Sequence, residues 1–405
     1  MVQKMAGAYE CRPFFIVIRV SKFLPMRMPF MHWTILAAGC CLAAVSSMVT
    51  AQSLPISLAV VATRDSSHLR GQDVVDGAND AVSKINARGG LLGRRISVDV
   101  HYDDCSTVTA ERIARSIAAL APPHRPAAVI GHTCSGAAIA AAPIYAAANL
   151  AVIFPGPRHP RVTDQRPAHL IFRLAPREDR LADDLAGVIR MRFSGQRTAL
   201  VHDRSAQSLR LADAIEAALA RDGIRLALRE AYTHGEKSYD GLVDRLRRSE
   251  ASVVIAPAQP TEAGIIARRL SEHFPQARLI VGDALAVPGI EQLVTALGLR
   301  LWVMLPWMET PPPIATSTGT LPKMPVVPRA HSGIWIATHA AVEAWANAVT
   351  TAGTFETDAV VRGLETEQAP TIAGSVRFDT RGDAAMPSFV PWHWQDGRWQ
   401  MVADR

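Results

Sequence analysis

The sequence predicts an α/β chain made of two doubly wound parallel-sheet lobes with a central cleft, joined by several hinge crossings. Three observations carry that expectation. From Pro55 onward, short apolar, β-rich runs alternate with longer segments of helical period, which is the pattern of repeated βαβ units covered on both faces. There are too many units for one comfortable sheet, and they break into a first series ending near Arg173 and a second beginning at Thr198. The composition is that of a globular protein, with 405 residues, 49% hydrophobic and 20% charged, and it excludes a disordered, collagen-like or polytopic membrane chain.

The segment before the first strand reads as a leader. From Met26 a short basic start precedes an apolar run, Thr34 to Val45, and then the small-residue site Val49-Thr50-Ala51. This is the layout of a secretory signal peptide spanning about 26–51, and the strongly apolar part is shorter than the ~20 residues a spanning helix needs. Lipidation at Cys40 is the lesser alternative. Residues 1–51 hold five basic side chains and one acidic one, so they supply +4 of the formal +6 charge. The remaining excess is small and scattered, which argues against a nucleic-acid partner. With Cys11, Cys40 and Cys41 in the leader, Cys105 and Cys134 are the pair left to the mature chain. In an oxidising compartment they can bridge; two buried free thiols are the alternative.

Strands are expected at Ile56–Ala62, Ile96–His101, Ala128–Gly131, Ala151–Phe154, Ala199–His202, Val253–Ala256 and Leu279–Val281, with another strand-like run at Leu301–Leu305. Between them, Ile113, Ile117 and Leu120 form one apolar stripe on a helix that Ser106 or Thr107 can cap. Gly89-Gly90 ends the helix from about Leu69. The stretch after Leu305 is too rich in proline, from Pro306 to Pro328, for regular structure. Beyond it Ile334–Val349 is amphipathic, and Val376–Phe378, Phe389–Trp392 and Arg398–Val402 read as closing strands. The expected division is a leader at 1–51, a first lobe of 52–175 with 302–380, and a second lobe of 176–301 with 381–405.

Ligands of open α/β sheets bind beyond the carboxyl ends of the strands, where helix N-termini present unpaired N–H groups. Two strand ends carry suitable chemistry. One is Gly131-His132-Thr133-Cys134-Ser135-Gly136 ahead of an alanine-rich helix, with Ser135 expected at the N-cap; the other is the proline-fixed turn Pro155-Gly156-Pro157-Arg158-His159-Pro160.

At these residues the chain resembles the periplasmic leucine/isoleucine/valine-binding proteins of ABC transporters, the type I periplasmic binding-protein fold. The likeness covers nearly all of the mature part. It runs through Gly71-Gln72-Asp73, Asn86-Ala87-Arg88-Gly89-Gly90-Leu91-Leu92-Gly93, Tyr102-Asp103-Asp104-Cys105, Gly131-His132-Thr133-Cys134-Ser135 and Ala142-Pro143-Ile144-Tyr145. It continues in Phe172-Arg173, His202-Asp203 and Phe378-Asp379-Thr380-Arg381-Gly382-Asp383. The resemblance implies a Cys105–Cys134 disulfide, a periplasmic location, no cofactor, and a partner permease in the inner membrane. It further implies that an amino-acid-like or carboxylate-bearing small molecule is held in the cleft by hinge closure. Its carboxylate would go to Ser135 and the amides of Gly136 and Ala137, and its cationic group to the Gly156 carbonyl and Asp283. Arg158 stands where the family has a threonine or serine, Gln207 where it has an aromatic, and Gln259 near another lost aromatic, so the resemblance implies an altered ligand.

Rival readings are weaker. A cysteine hydrolase built on Cys134 with His132 or His202 lacks the Gly-x-Ser/Cys-x-Gly elbow. A metal site from His101, Asp103, Asp104, Cys105, His132 and Cys134 has the right ligand types but no zinc-site spacing. Trp335, Trp345, Trp392, Trp394 and Trp399 fit core packing better than a sugar platform. A sensor of the same fold, feeding a regulator, would look the same in sequence.

Overall fold

The computed structural model describes residues 54–64, 71–233, 235–236, 238–256, 260–283, 290–308, 332–386 and 388–402. The expected leader, the side chain of Gln207, residue Gln259 and most of the proline-rich stretch lie outside the described residues.

The first lobe opens with β1 (Ile56–Ala62), α1 (Gly71–Ala87), β2 (Ile96–Tyr102), α2 (Thr107–Ala118), β3 (Ala128–Gly131), α3 (Ser135–Ala147), β4 (Val152–Phe154), α4 (Arg161–Asp164) and β5 (Ile171–Arg173). The strands form a five-stranded sheet in the order β2-β1-β3-β4-β5, parallel throughout. Strand alternation fixes its two faces: Leu58, Val60 and Ala62 enter one core, Ala59 and Val61 the other.

The second lobe follows with α5 (Arg180–Arg192), β6 (Thr198–Asp203), α6 (Ala206–Arg221), β7 (Leu226–Tyr232), α7 (Asp240–Arg248), β8 (Val253–Ala256), α8 (Pro260–His273), β9 (Arg278–Val281), α9 (Ile290–Leu297) and β10 (Arg300–Pro306). The chain then returns to the first lobe as α10 (Gly333–Ala352), α11 (Thr357–Thr366) and a small hairpin, β11 (Ala369–Thr371) with β12 (Gly374–Val376). It ends in the second sheet with β13 (Phe389–Gln395) and β14 (Arg398–Met401), giving the order β14-β13-β10-β9-β8-β6-β7. Strands β13 and β14 are antiparallel additions to a parallel core. Helix α10 is apolar nearly all round, and Trp335 and Trp345 sit deep in the first core at 4% and 1% exposure, as a helix without a polar face must.

Both parallel cores therefore share one winding order, β2-β1-β3-β4-β5 and β7-β6-β8-β9-β10, whose switch points lie beside β1/β3 and β6/β8. The fold class is the one the sequence predicts, but the lobe boundaries shift. A boundary between 301 and 302 would cut β10, which pairs with β9 and β13 along its length. The passage comes after Pro306, since Trp307 and Met308 already pack in the first core. The last passage likewise falls between Met386, packed on the first core, and Phe389, in the second, and not at 380/381. No helix among the described residues is long and apolar enough to cross a membrane.

Candidate functional site

The loop after β3 is built on a buried polar relay. Asp103, His132 and Tyr145 are all at 0% exposure; Asp103 Oδ2 lies 2.5 Å from His132 Nδ1, and His132 Nε2 lies 3.1 Å from the Tyr145 hydroxyl. The arrangement that satisfies every atom has Nδ1–H donating to the carboxylate and the phenol donating to Nε2. Burial, with the Asp103 charge adding to it, pushes the Tyr145 hydroxyl well above its ordinary range and keeps that donor protonated. Asp103 Oδ1 also accepts the Cys105 N–H at 2.9 Å. The loops after β2 and β3 are then joined covalently by Cys105–Cys134, with a Cα–Cα distance of 5.4 Å, so no thiol remains there to act as a nucleophile. Helix α2 is capped by Ser106, whose hydroxyl accepts the Thr109 N–H, and not by Thr107.

Ser135 departs from its expected role. The cap of α3 is Cys134, which makes no side-chain cap bond, and Ser135 is the first helical residue. Its Oγ instead accepts the backbone N–H groups of Arg158 at 3.2 Å and His159 at 3.3 Å. A serine hydroxyl has two lone pairs and one proton. Here both lone pairs are taken, which leaves the O–H free only to donate, and the natural recipient of such a donor is an anionic oxygen.

The loop carrying Arg158 is pinned on further sides. The Arg158 carbonyl accepts the Glu178 N–H, and the His159 carbonyl accepts from Arg173 Nη1, at 2.9 and 2.8 Å. Gly156 has no room for a side chain, because a Cβ would come within 2.7 Å of the Thr133 carbonyl. From this fixed backbone the Arg158 guanidinium reaches the second lobe and pairs with Asp283, just past β9, at 2.5 Å. The two side chains are 33% and 25% exposed.

Beside that pair lies a cavity of about 270 Å³. Its wall is formed by the N-terminal ends of α1 and α10 (Gly71, Val74, Gly333, Ile334, Ala337), by Thr63 and Thr133 at strand ends, by Pro155, Gly156 and Arg158, and by Ala175, Pro176, Pro306 and Met308 where the chain passes between lobes. Gly71 is again a close approach, with a Cβ falling 1.5 Å from the Thr63 carbonyl. Arg158 is the one charged side chain among the described lining residues. Thr133 Oγ1 is buried and has no hydrogen-bond partner among the described residues.

Of the residues singled out from sequence, Gly156 and Arg158 line this cavity, whereas Ser135 and Asp283 are not among its lining residues and connect to it through Arg158, Ser135 by accepting its backbone N–H and Asp283 by pairing with its guanidinium. Neither Gly136, which is exposed, nor Ala137, which is fully buried at 0%, is among the lining residues. Gln207 lies in the first turn of α6. His202 is a packed strand-end residue whose Nδ1 is 2.8 Å from the Asp203 carbonyl. No group of three or more metal-ligating side chains occurs among the described residues.

A second charged centre had no sequence signal beyond the isolated motifs that contain it. Arg173, at 0% exposure, donates to Asp383 Oδ1 through Nε and Nη2 at 2.8 and 2.5 Å and to Thr163 Oγ1 at 2.7 Å. Arg177 beside it bonds Asp164, Asp179 and Asp383 at 2.6, 2.7 and 3.3 Å. Hydrogen bonds donated to Asp179 and Asp164 hold the Arg177 proton more tightly than usual. Arg177 in turn holds Asp164 below the usual carboxylate range, and it does the same for Asp179 against the opposing effect of burial. Burial makes the Arg173 cation costlier, an effect Asp383 opposes. These residues join α4, the 174–179 passage and the segment before β13, and so gather the ends of two inter-lobe passages.

The chain is similar to proteins of one kind. A family described as periplasmic binding protein matches residues 55–394, and the chain belongs to that family. It is 28% identical over 329 residues to an amino acid binding protein of Pseudomonas aeruginosa, covering 80% of this chain and 86% of that one. It is 27% identical over 337 residues to Leu/Ile/Val-binding protein homolog 1 of Brucella melitensis, with 81% and 86% covered. In fold it resembles an ABC transporter substrate-binding protein of Desulfitobacterium hafniense in complex with Leu (TM-score 0.67, 22% identity, 86% of this chain and 100% of that one). It also resembles a putative branched-chain amino acid ABC transporter protein of Silicibacter pomeroyi (TM-score 0.71, 14% identity, 87% and 96%). Membership places the chain among extracytoplasmic binding proteins.

Proposed function

We propose that this periplasmic binding protein is the solute receptor of an ABC transporter, exported by a signal peptide at about residues 26–51 and handing its ligand to an inner-membrane permease. The ligand is a small molecule with a carboxylate, taken up between the lobes by hinge closure. The observation that carries this reading is the Ser135 hydroxyl, left as a pure donor by the Arg158 and His159 amides, with Arg158 itself the charged residue among the described lining of the cavity. The first-turn amides of α3, from Ser135, Gly136 and Ala137, add donors with no partner inside their own helix. Relatives named for amino acid and Leu/Ile/Val binding support a ligand of this size and kind. The Gly156 carbonyl and Gln207 would touch the rest of the ligand.

The test is a thermal-shift screen of the mature chain against amino acids, their amides and small carboxylates. A ligand at one hundred times its Kd adds about 2.7 kcal/mol to stability, an easily read rise in Tm. At least one carboxylate should stabilise the protein, and Ser135→Ala should weaken its binding. A panel in which no carboxylate raises Tm overturns the proposal.

A further inference from the structure

The residues that would meet the remainder of the ligand point to a narrower class. This inference rests on the receptor reading above and concerns the same cavity. An amino acid presents an ammonium group beside its carboxylate, and an ammonium group needs an anion or several carbonyl acceptors when it is taken out of water. Asp283 is the second-lobe carboxylate paired with the wall residue Arg158, whose guanidinium already neutralises it. Arg158 is also the charged side chain among the described residues of the wall, so an incoming ammonium would meet a like charge. Arg158 is not positioned loosely. Its N–H is held by Ser135, its carbonyl by the Glu178 N–H, and the neighbouring His159 carbonyl by Arg173. The wall otherwise offers Val74, Ile334, Ala337 and Met308 to an apolar body, and the Thr133 hydroxyl to one polar atom.

We infer that the ligand is a small monocarboxylate with an apolar body and no α-ammonium group, such as a 2-oxo acid, and that Arg158 is the residue that excludes the amino acid. The protein's own guanidinium occupies the cationic place opposite Asp283 that an amino acid would fill with its nitrogen.

The experiment is isothermal titration of the mature protein with leucine and with 4-methyl-2-oxopentanoate, which has the same skeleton without the ammonium, backed by the thermal-shift panel. The expected result is at least tenfold tighter binding of the oxo acid by the unaltered protein. Arg158→Gln, which releases Asp283, should cut that preference at least tenfold, whereas Arg158→Lys, which keeps the charge, should retain it; circular dichroism checks that both variants fold. If neither probe binds, a panel hit that lacks an ammonium still supports the inference. Leucine binding as tightly as the oxo acid, a hit confined to ammonium-bearing acids, or an Arg158→Lys variant that prefers leucine overturns it and leaves the receptor function standing. Binding of no carboxylate at all removes the receptor reading itself.

Discussion

Two arginine–aspartate pairs bridge distant parts of this chain, in opposite surroundings. Arg173 and Asp383, 210 residues apart, are sealed at 0% and 10% side-chain exposure, with Thr163 and the His159 carbonyl accepting from two further guanidinium N–H groups. Arg158 and Asp283 meet at 33% and 25% exposure across the gap between lobes. A sealed pair cannot be parted without leaving a bare charge out of water, so it holds chain segments permanently together. A pair open to solvent costs little to separate, and only such a pair can be made and broken as the lobes move.

The largest expected effect tests the sealed side of this contrast. Arg173→Met leaves Asp383 without its main partner and should lower unfolding free energy by about 3–5 kcal/mol, read from urea melts; a loss under about 1 kcal/mol would mean the cluster is not structural. Next comes the covalent support of the cleft side. Removing the Cys105–Cys134 bridge, which closes a separation of 29 residues, should cost about 3–4 kcal/mol in the chain-entropy model. Mass spectrometry of the unreduced protein should show no alkylatable thiol in the mature chain; two would contradict the bridge.

A smaller effect is visible in acid. Arg177 holds Asp164 and Asp179 below the carboxylate range. Their contribution is therefore present above the unfolded value, near pH 4, and is lost as pH falls through the depressed folded-state values. Both carboxylates are exposed beyond a third, at 41% and 44%, so solvent screening limits the sum to about 1 kcal/mol. Arg177→Gln should flatten this acid limb of the stability curve; an unchanged limb would remove Arg177 as its cause. The smallest stability change belongs to the open pair. Arg158→Gln should move unfolding free energy by less than about 1 kcal/mol while altering ligand preference. A loss as large as that of Arg173→Met would erase the contrast.

Much of the architecture was legible because burial on both faces leaves a mark in the sequence. All seven apolar runs of the two parallel series became strands β1, β2, β3, β4, β6, β8 and β9. Strand β7, Leu226–Tyr232, was hidden because it lies at a sheet edge, half exposed, and carries Arg229 and Glu230. The lobe boundary at β10 was misjudged because its second-sheet partner, β13, begins more than 80 residues later, and no local pattern announces that pairing. The strand-end loops announced themselves through Gly156, Ser135 and the cysteines. What they do with their hydrogen bonds did not, since whether Ser135 caps its helix or clasps the Arg158 loop depends on a contact 23 residues away. The same holds for the Arg173 cluster, whose motifs were visible singly but not as neighbours.

The way the Ser135 oxygen is saturated carries a last consequence. A carboxylate and its primary amide have nearly the same shape, yet the amide can turn an NH₂ toward the serine, where hydrogen would face hydrogen. The amide must then commit its lone carbonyl to that point and forgo the second acceptor that an acid would keep for the adjacent helix amides. In the proposed site, two ordinary peptide groups of a neighbouring loop, by occupying a hydroxyl from behind, would thus give the front of that hydroxyl a preference for acids over amides, without any added charge.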